Sequence, residues 1–220
     1  MHTSLSRMRP LIVLGMIALA ACQPTDKNQA PTGVVAKAMD EAAKGLGEAS
    51  QEMDKARDEI ATARDRLARE NISLNRNEKQ HLPKAEITPA GDLMIEGKAV
   101  ATTPEQKALV LAYRGELLGV VGDGMAIGME GARVGIDAAA SALKGILAGQ
   151  DGDQIGKQVG EQAKAKIQPM VAQLCTRLPG LLSAQQALSA ALPEFSPYAT
   201  MDQADVDDCG DANGDGNWTF

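Results

Sequence analysis

The chain has 220 residues, a formal net charge of −7 and only 2% aromatic residues. An acidic balance repels nucleic acid and anionic lipid headgroups, so neither is expected as a general partner. With so few rings, the core has to come from Leu, Ile, Val, Met and alanine, a composition suited to closely packed helices.

The first residues read as targeting. Arg7 and Arg9 precede an unbroken small and apolar run from Leu11 to Ala21. That run is shorter than the about 20 residues a helix needs to cross a bilayer. It ends in Leu19-Ala20-Ala21-Cys22, which resembles the bacterial lipobox. The resemblance implies a lipoprotein signal peptide over 1–21 and acylation of the Cys22 thiol by palmitate-type chains. The competing reading is an ordinary signal peptide cut after a small residue. Gln23, where an aspartate would favour the inner membrane, implies a lipid anchor in the inner leaflet of the outer membrane, facing the periplasm. Residues 22–33, with Pro24, Pro31 and Gly33, then form a lipidated flexible tether.

Removing the leader takes away two arginines and no acid, so the charge moves from −7 to −9. It also leaves Cys175 and Cys209 as the unmodified cysteines. In an oxidising compartment an isolated pair usually forms a structural disulfide, and no CxxC spacing suggests a redox role.

The fold class expected is mainly α with a small β-hairpin: a long heptad-patterned helix plus a glycine-rich helical bundle. Over 34–71, Met39, Leu46, Met53, Ile60 and Leu67 recur every seven residues, and Ala42, Ala49, Ala56 and Ala63 follow in a second row. Such a seam packs one helix against another, in the same chain or in a second copy. Asp40 with Lys44, Asp54 with Arg57, and Asp65 with Arg69 have the spacing of helical ion pairs. Residues 72–101 hold a polar linker and a hairpin, Ala85–Thr88 and Leu93–Glu96 around Pro89-Ala90-Gly91-Asp92.

A helical domain is expected over 102–195. Thr103-Pro104-Glu105-Gln106 is a helix start, with a hydroxyl cap and proline in the first turn. The helix can run to about Leu147, with a break near Gly122-Asp123-Gly124 as the alternative. Its many glycines imply close approach of a neighbouring helix, since each costs about 0.5–1 kcal/mol against alanine. Glu116, Asp123, Glu130 and Asp137 recur every seven residues and form an acidic stripe, either a solvated face or a docking strip for a basic partner. Pro169 is expected to kink or restart the next helix and Pro179-Gly180 to end it, with a last helix over 181–192. Residues 196–220 are expected as an acidic, solvated tail.

The segment GDLMIEGKAVATTPEQKALVLAYRGELLGVV carries a family likeness. The hairpin Gly91–Lys98, the Thr103–Gln106 cap, and the helix bearing Gln106, Tyr113 and Leu117 resemble the YggN-type family of proteobacterial envelope proteins over about residues 70–210. The likeness implies a periplasmic or lipid-anchored protein of unknown function and supplies no catalytic residue. The lipobox and the heptad segment set this chain apart from the soluble members.

Nothing in the sequence builds an active site. His81 stands alone in a polar linker, and a triad or zinc site needs partners that it lacks. No nucleophile elbow, phosphate-cradling loop or HExxH occurs, so no enzyme activity and no cofactor are expected. Asp211, Asn213, Asp215 and Gly216 match the opening of a calcium loop. The sequence reaches only loop position 10, short of the bidentate carboxylate at 12. The functional expectation is a lipid-anchored, non-enzymatic structural or protein-interaction module, its partner another envelope protein or a second copy. A weak calcium-binding module on the tail is the alternative.

Overall fold

The computed structural model describes residues 33–74 and 82–210. The chain is mainly helical, with one small antiparallel sheet. Helix α1 spans Gly33–Arg69, about 55 Å at 1.5 Å per residue. Its surface is laced by one-turn ion pairs: Lys55 with Glu52 at 2.6 Å, Arg57 with Asp54 at 3.3 Å, Arg69 with Asp65 at 2.9 Å. Lys44 pairs with Glu48 rather than the expected Asp40. Past Ala42, which is exposed, both heptad rows are at least half-buried. Met53 is buried, and Leu46, Ile60, Leu67, Ala49, Ala56 and Ala63 are half-buried. Ile60, with Arg57, Ala61 and Arg64, lines a cleft shared with this chain's own helix α2 (Pro104–Leu147). Arg64 reaches the Gly122 carbonyl at 2.5 Å, and Arg114 reaches the carbonyls at the end of α1.

The expected hairpin is the centre of a four-stranded sheet in the order β1 (Ile72–Ser73), β2 (Ala85–Ile87), β3 (Leu93–Ile95), β4 (Lys98–Ala99). Register pairs Ile72 with Ile87, Ala85 with Ile95, and Ile87 with Leu93. Alternation then points Ala85, Ile87 and Leu93 into the core, each fully buried. The turn between β3 and β4 uses Glu96 at φ 50° and Gly97 at φ 74°, the left-handed pair that a two-residue hairpin requires. A bulky residue is held there because the Glu96 amide donates to the Lys84 carbonyl and its carboxylate accepts from the Lys84 amide, both at 2.8 Å.

Helix α2 begins as the sequence predicts. Thr103 accepts from the Gln106 amide, and the Gln106 side chain returns the bond to Thr103. It runs unbroken through Gly122-Asp123-Gly124 to Leu147. Gly149, at φ 69°, turns the chain, and Asp151 caps helix α3, Gly152–Ala191. The two helices run antiparallel: Gln106 meets Ala191, Asp123 meets Arg177, Asp137 meets Lys166, and Gly145 meets Ile155.

Two expectations are corrected here. Helix α3 is continuous through Pro169 and Pro179, so Pro169 does not restart it and Pro179-Gly180 does not end it. Its buried Leu174, Leu181, Leu182 and Leu188 lie on one face along α2, and that burial outweighs the roughly 3 kcal/mol an interior proline costs. The segment after 195 is not a solvated tail as far as residue 209. A 3-10 helix over Pro193–Tyr198 buries Phe195 and Tyr198, and helix α4 (Gln203–Asp207) follows under a capping box from Asp202. Phe195 sits edge-on to Tyr113, ring centroids 5.0 Å apart, and the Tyr198 hydroxyl donates to the Pro83 carbonyl at 2.9 Å. Cys175 and Cys209 are joined in a disulfide, Cα atoms 5.6 Å apart.

The glycines of α2 also differ from expectation. Among the described residues, only Gly119 and Gly145 of α2 have a neighbour where a side chain would stand; around Gly115, Gly122, Gly124, Gly128, Gly131 and Gly135 none comes within 4 Å. Gly128→Ala should therefore raise unfolding free energy by about 0.5–1 kcal/mol in urea titration, through helix propensity alone. Gly145→Ala should lower it, because the new methyl would stand 2.6 Å from the Ile155 Cδ1.

Candidate functional site

The acidic stripe is one of the surfaces the sequence singles out, and the structure places most of its carboxylates in ion pairs within the chain. Asp123 pairs with Arg177 and Asp137 with Lys166 at 3.3 Å, both cations coming from α3. Glu130 takes a two-pronged contact from Arg133 at 2.9 and 3.0 Å, which holds its carboxyl below the usual range. Glu116 lies against Gly180. Two of the four carboxylates are thus paired with cations of the chain's own third helix, and one with a cation of α2 itself. The stripe fixes the register of the α2–α3 pair and brings no two of its carboxylates into one pocket.

Of the other predicted positions, Cys175 and Cys209 are brought together as expected. Cys22, His81, Asp211, Asn213 and Asp215 lie outside the described residues. Among the described residues no cluster of three His, Cys, Asp or Glu could hold a metal ion, and no helix is long and apolar enough to cross a membrane.

Sequence reasoning missed the most constrained polar group. Arg114 is 4% exposed and donates to four main-chain carbonyls: Leu67 at 2.7 Å, Ala68 at 3.2 Å, Glu70 at 2.8 Å and Ile87 at 3.0 Å. Three of these are the acceptors left over where α1 ends, where a cation also meets the negative end of the helix dipole. Burial pulls its pKa below the ordinary arginine value, yet a guanidinium stays charged at any working pH. The available signal was its place between Val110 and Leu117 on the apolar face of α2, where a charged residue needs a reason. Gln185, also 4% exposed, does a similar service: its amide donates to the Met201 carbonyl at 2.7 Å and accepts from the Met201 amide at 3.1 Å.

Two surfaces remain open. The first is a cleft of about 470 Å³ between α1 and the helical pair, with Ile60, Met125, Met129 and Met170 as its apolar lining and Arg57, Arg64 and Arg133 as its cations. The second is the outward face of α2. Gly124, Gly128, Gly131 and Gly135 are spaced by four, three and four, so they share one helical stripe. The same stripe continues through Ala139 and Ala142 to Ile146, which is 59% exposed.

Compared with known proteins, the chain matches no family model, no curated protein and no solved structure.

Two outcomes follow from the polar groups. Arg114→Leu should lower unfolding free energy by about 3 kcal/mol in urea titration, since it strands several buried carbonyls; Arg114→Lys should recover only part of it. At Asp92, the Lys107 ammonium at 2.8 Å and the Thr88 hydroxyl at 3.1 Å hold the carboxyl below its ordinary 3.8. The unfolded chain then binds the proton first, so this contribution is present above about pH 4 and is lost as the pH falls further. Thermal melts of Asp92→Asn should accordingly show a shallower fall in acid than the parent chain.

Proposed function

We propose that this chain is a lipid-anchored envelope protein that works without catalysis, by docking a helix of another envelope protein or of a second copy. Its anchor is Cys22 and its address the periplasmic face of the outer membrane. Its proposed relatives are the YggN-type envelope proteins. The lipobox supports the anchor and the address.

The outward stripe of α2 carries the docking reading. Each interior glycine there disfavours the helix by about 0.5–1 kcal/mol, and no neighbour among the described residues offsets it. An incoming helix would, because glycine lets two backbones approach closely. The stripe carries no charged side chain between Gly124 and Ile146, so desolvating it is inexpensive, and exposed Ile146 and Leu147 at its end add apolar area. A second reading, a weak calcium site, is favoured by the oxygens of Asp211, Asn213 and Asp215 at loop positions 1, 3 and 5. Calorimetry with millimolar calcium that gives no heat removes it.

Cross-linking of the lipidated protein in intact cells, followed by mass spectrometry of the linked peptides, tests the docking reading. Links from Lys144 or Lys157, the lysines beside the stripe and the helix turn, should reach a second polypeptide. Gly131→Leu should abolish them while the protein stays folded. Links confined to one copy of the chain would refute docking.

A further inference from the structure

We propose that the cleft between α1 and the α2–α3 pair binds a long-chain fatty acid, its carboxylate among the arginines and its acyl chain over the methionines. In a chain of net charge −7, this cleft carries Arg57, Arg64 and Arg133 against a single acid, Glu130. The local field is therefore opposite in sign to that of the whole protein. Glu130 is already engaged by Arg133, and Arg64 is turned to the Gly122 carbonyl. Arg57 is the adjustable one: its side chain is 56% exposed and pairs with Asp54, a turn away at 3.3 Å. A guanidinium presents a flat fork that matches a carboxylate with two parallel hydrogen bonds.

The lining suits the other end of such a ligand. Met125 and Met129 stand one turn apart on α2, and Met170 reaches in from α3. Unbranched thioethers conform to chains of different length and bend. The volume of about 470 Å³ falls in the roughly 300–1,000 Å³ range of small-molecule sites and takes one acyl chain. The same three sulfurs are soft donors that would suit Cu(I), but three guanidiniums around them repel a cation. Charge decides for the anion. This site is independent of the outward stripe of α2, so either can fail without the other.

Calorimetric titration of the whole chain carrying Cys22→Ser, so that no attached acyl group competes, tests the proposal with octanoate, decanoate and dodecanoate as probes. Affinity should rise about fourfold for each added methylene, and neutral dodecyl maltoside should bind at least about tenfold more weakly than dodecanoate. Arg57→Gln should weaken dodecanoate about tenfold with an unchanged melting temperature. Met129→Gln should flatten the chain-length series. A diazirine-bearing fatty acid should label the peptide containing Met125 and Met129. A flat series, equal binding of dodecyl maltoside, no effect of Arg57→Gln, or tighter binding of lysophosphatidylglycerol or Cu(I) than of dodecanoate would each overturn it.

Discussion

A single buried guanidinium, that of Arg114, joins the end of α1, the strand β2 and the middle of the apolar face of α2. Its desolvation is expensive, and only a set of acceptors in the right place makes the burial tolerable. Helix α1 provides three because it ends there, and β2 provides the fourth through Ile87. If α1 were shifted by one turn, the cation would be buried with most of its hydrogen bonds unmade. The position of α1 along α2 is thereby set at one point. From that point Arg64 falls beside Gly122, and Ile60 and Ala61 line one cleft with Met125 and Ala126. The cleft follows from that register, as does the fact that α1 leaves the glycine stripe of α2 uncovered.

The α2–α3 pair is held differently at its two ends. Toward the sheet, Val110, Tyr113, Leu117, Leu181, Leu188 and Phe195 make a dry core. Toward the helix turn, the large side chains give way to small residues and to ion pairs such as Asp123 with Arg177 and Asp137 with Lys166. Those pairs are partly exposed, with side chains from 22% to 55% accessible, so each adds little to stability. They act on alignment, since a slipped register would pull both pairs apart.

Much of this architecture is legible in the residues themselves, because local rules and global packing agree there. The heptad rows of α1, the Thr103 cap, the hairpin at 85–95 and the cysteine pair are of this kind. The failures have physical reasons. Pro169 and Pro179 are strong local breakers, but their helix is held by burial that becomes visible only once α2 is beside it. The stretch after 195 is acidic enough to read as solvated, and that composition masked Phe195 and Tyr198, two of the few aromatic residues in the chain. Arg114 carries no local signature beyond its apolar surroundings, since its partners are main-chain carbonyls 27 to 47 residues away. The acidic stripe was visible as a pattern, yet a pattern on one helix does not say whether the complementary charge lies in the same chain. The glycines mislead in the same way: their number is plain, but the face they occupy depends on where α1 and α3 settle.

The disulfide gives the polypeptide a sense of direction. Cys209 belongs to the segment that closes over α3, and a bridge spanning 34 residues removes about 3–4 kcal/mol of unfolded-chain freedom. In a reducing compartment that contribution does not exist, and the last helical turns rely on the Asp202 cap, the Gln185 bonds and the packing of α4 on α3. One sequence therefore has two stabilities, the looser where thiols are kept reduced and the firmer where they are oxidised. The segment through Cys209 therefore gains its last increment of stability only once the two thiols have been oxidised.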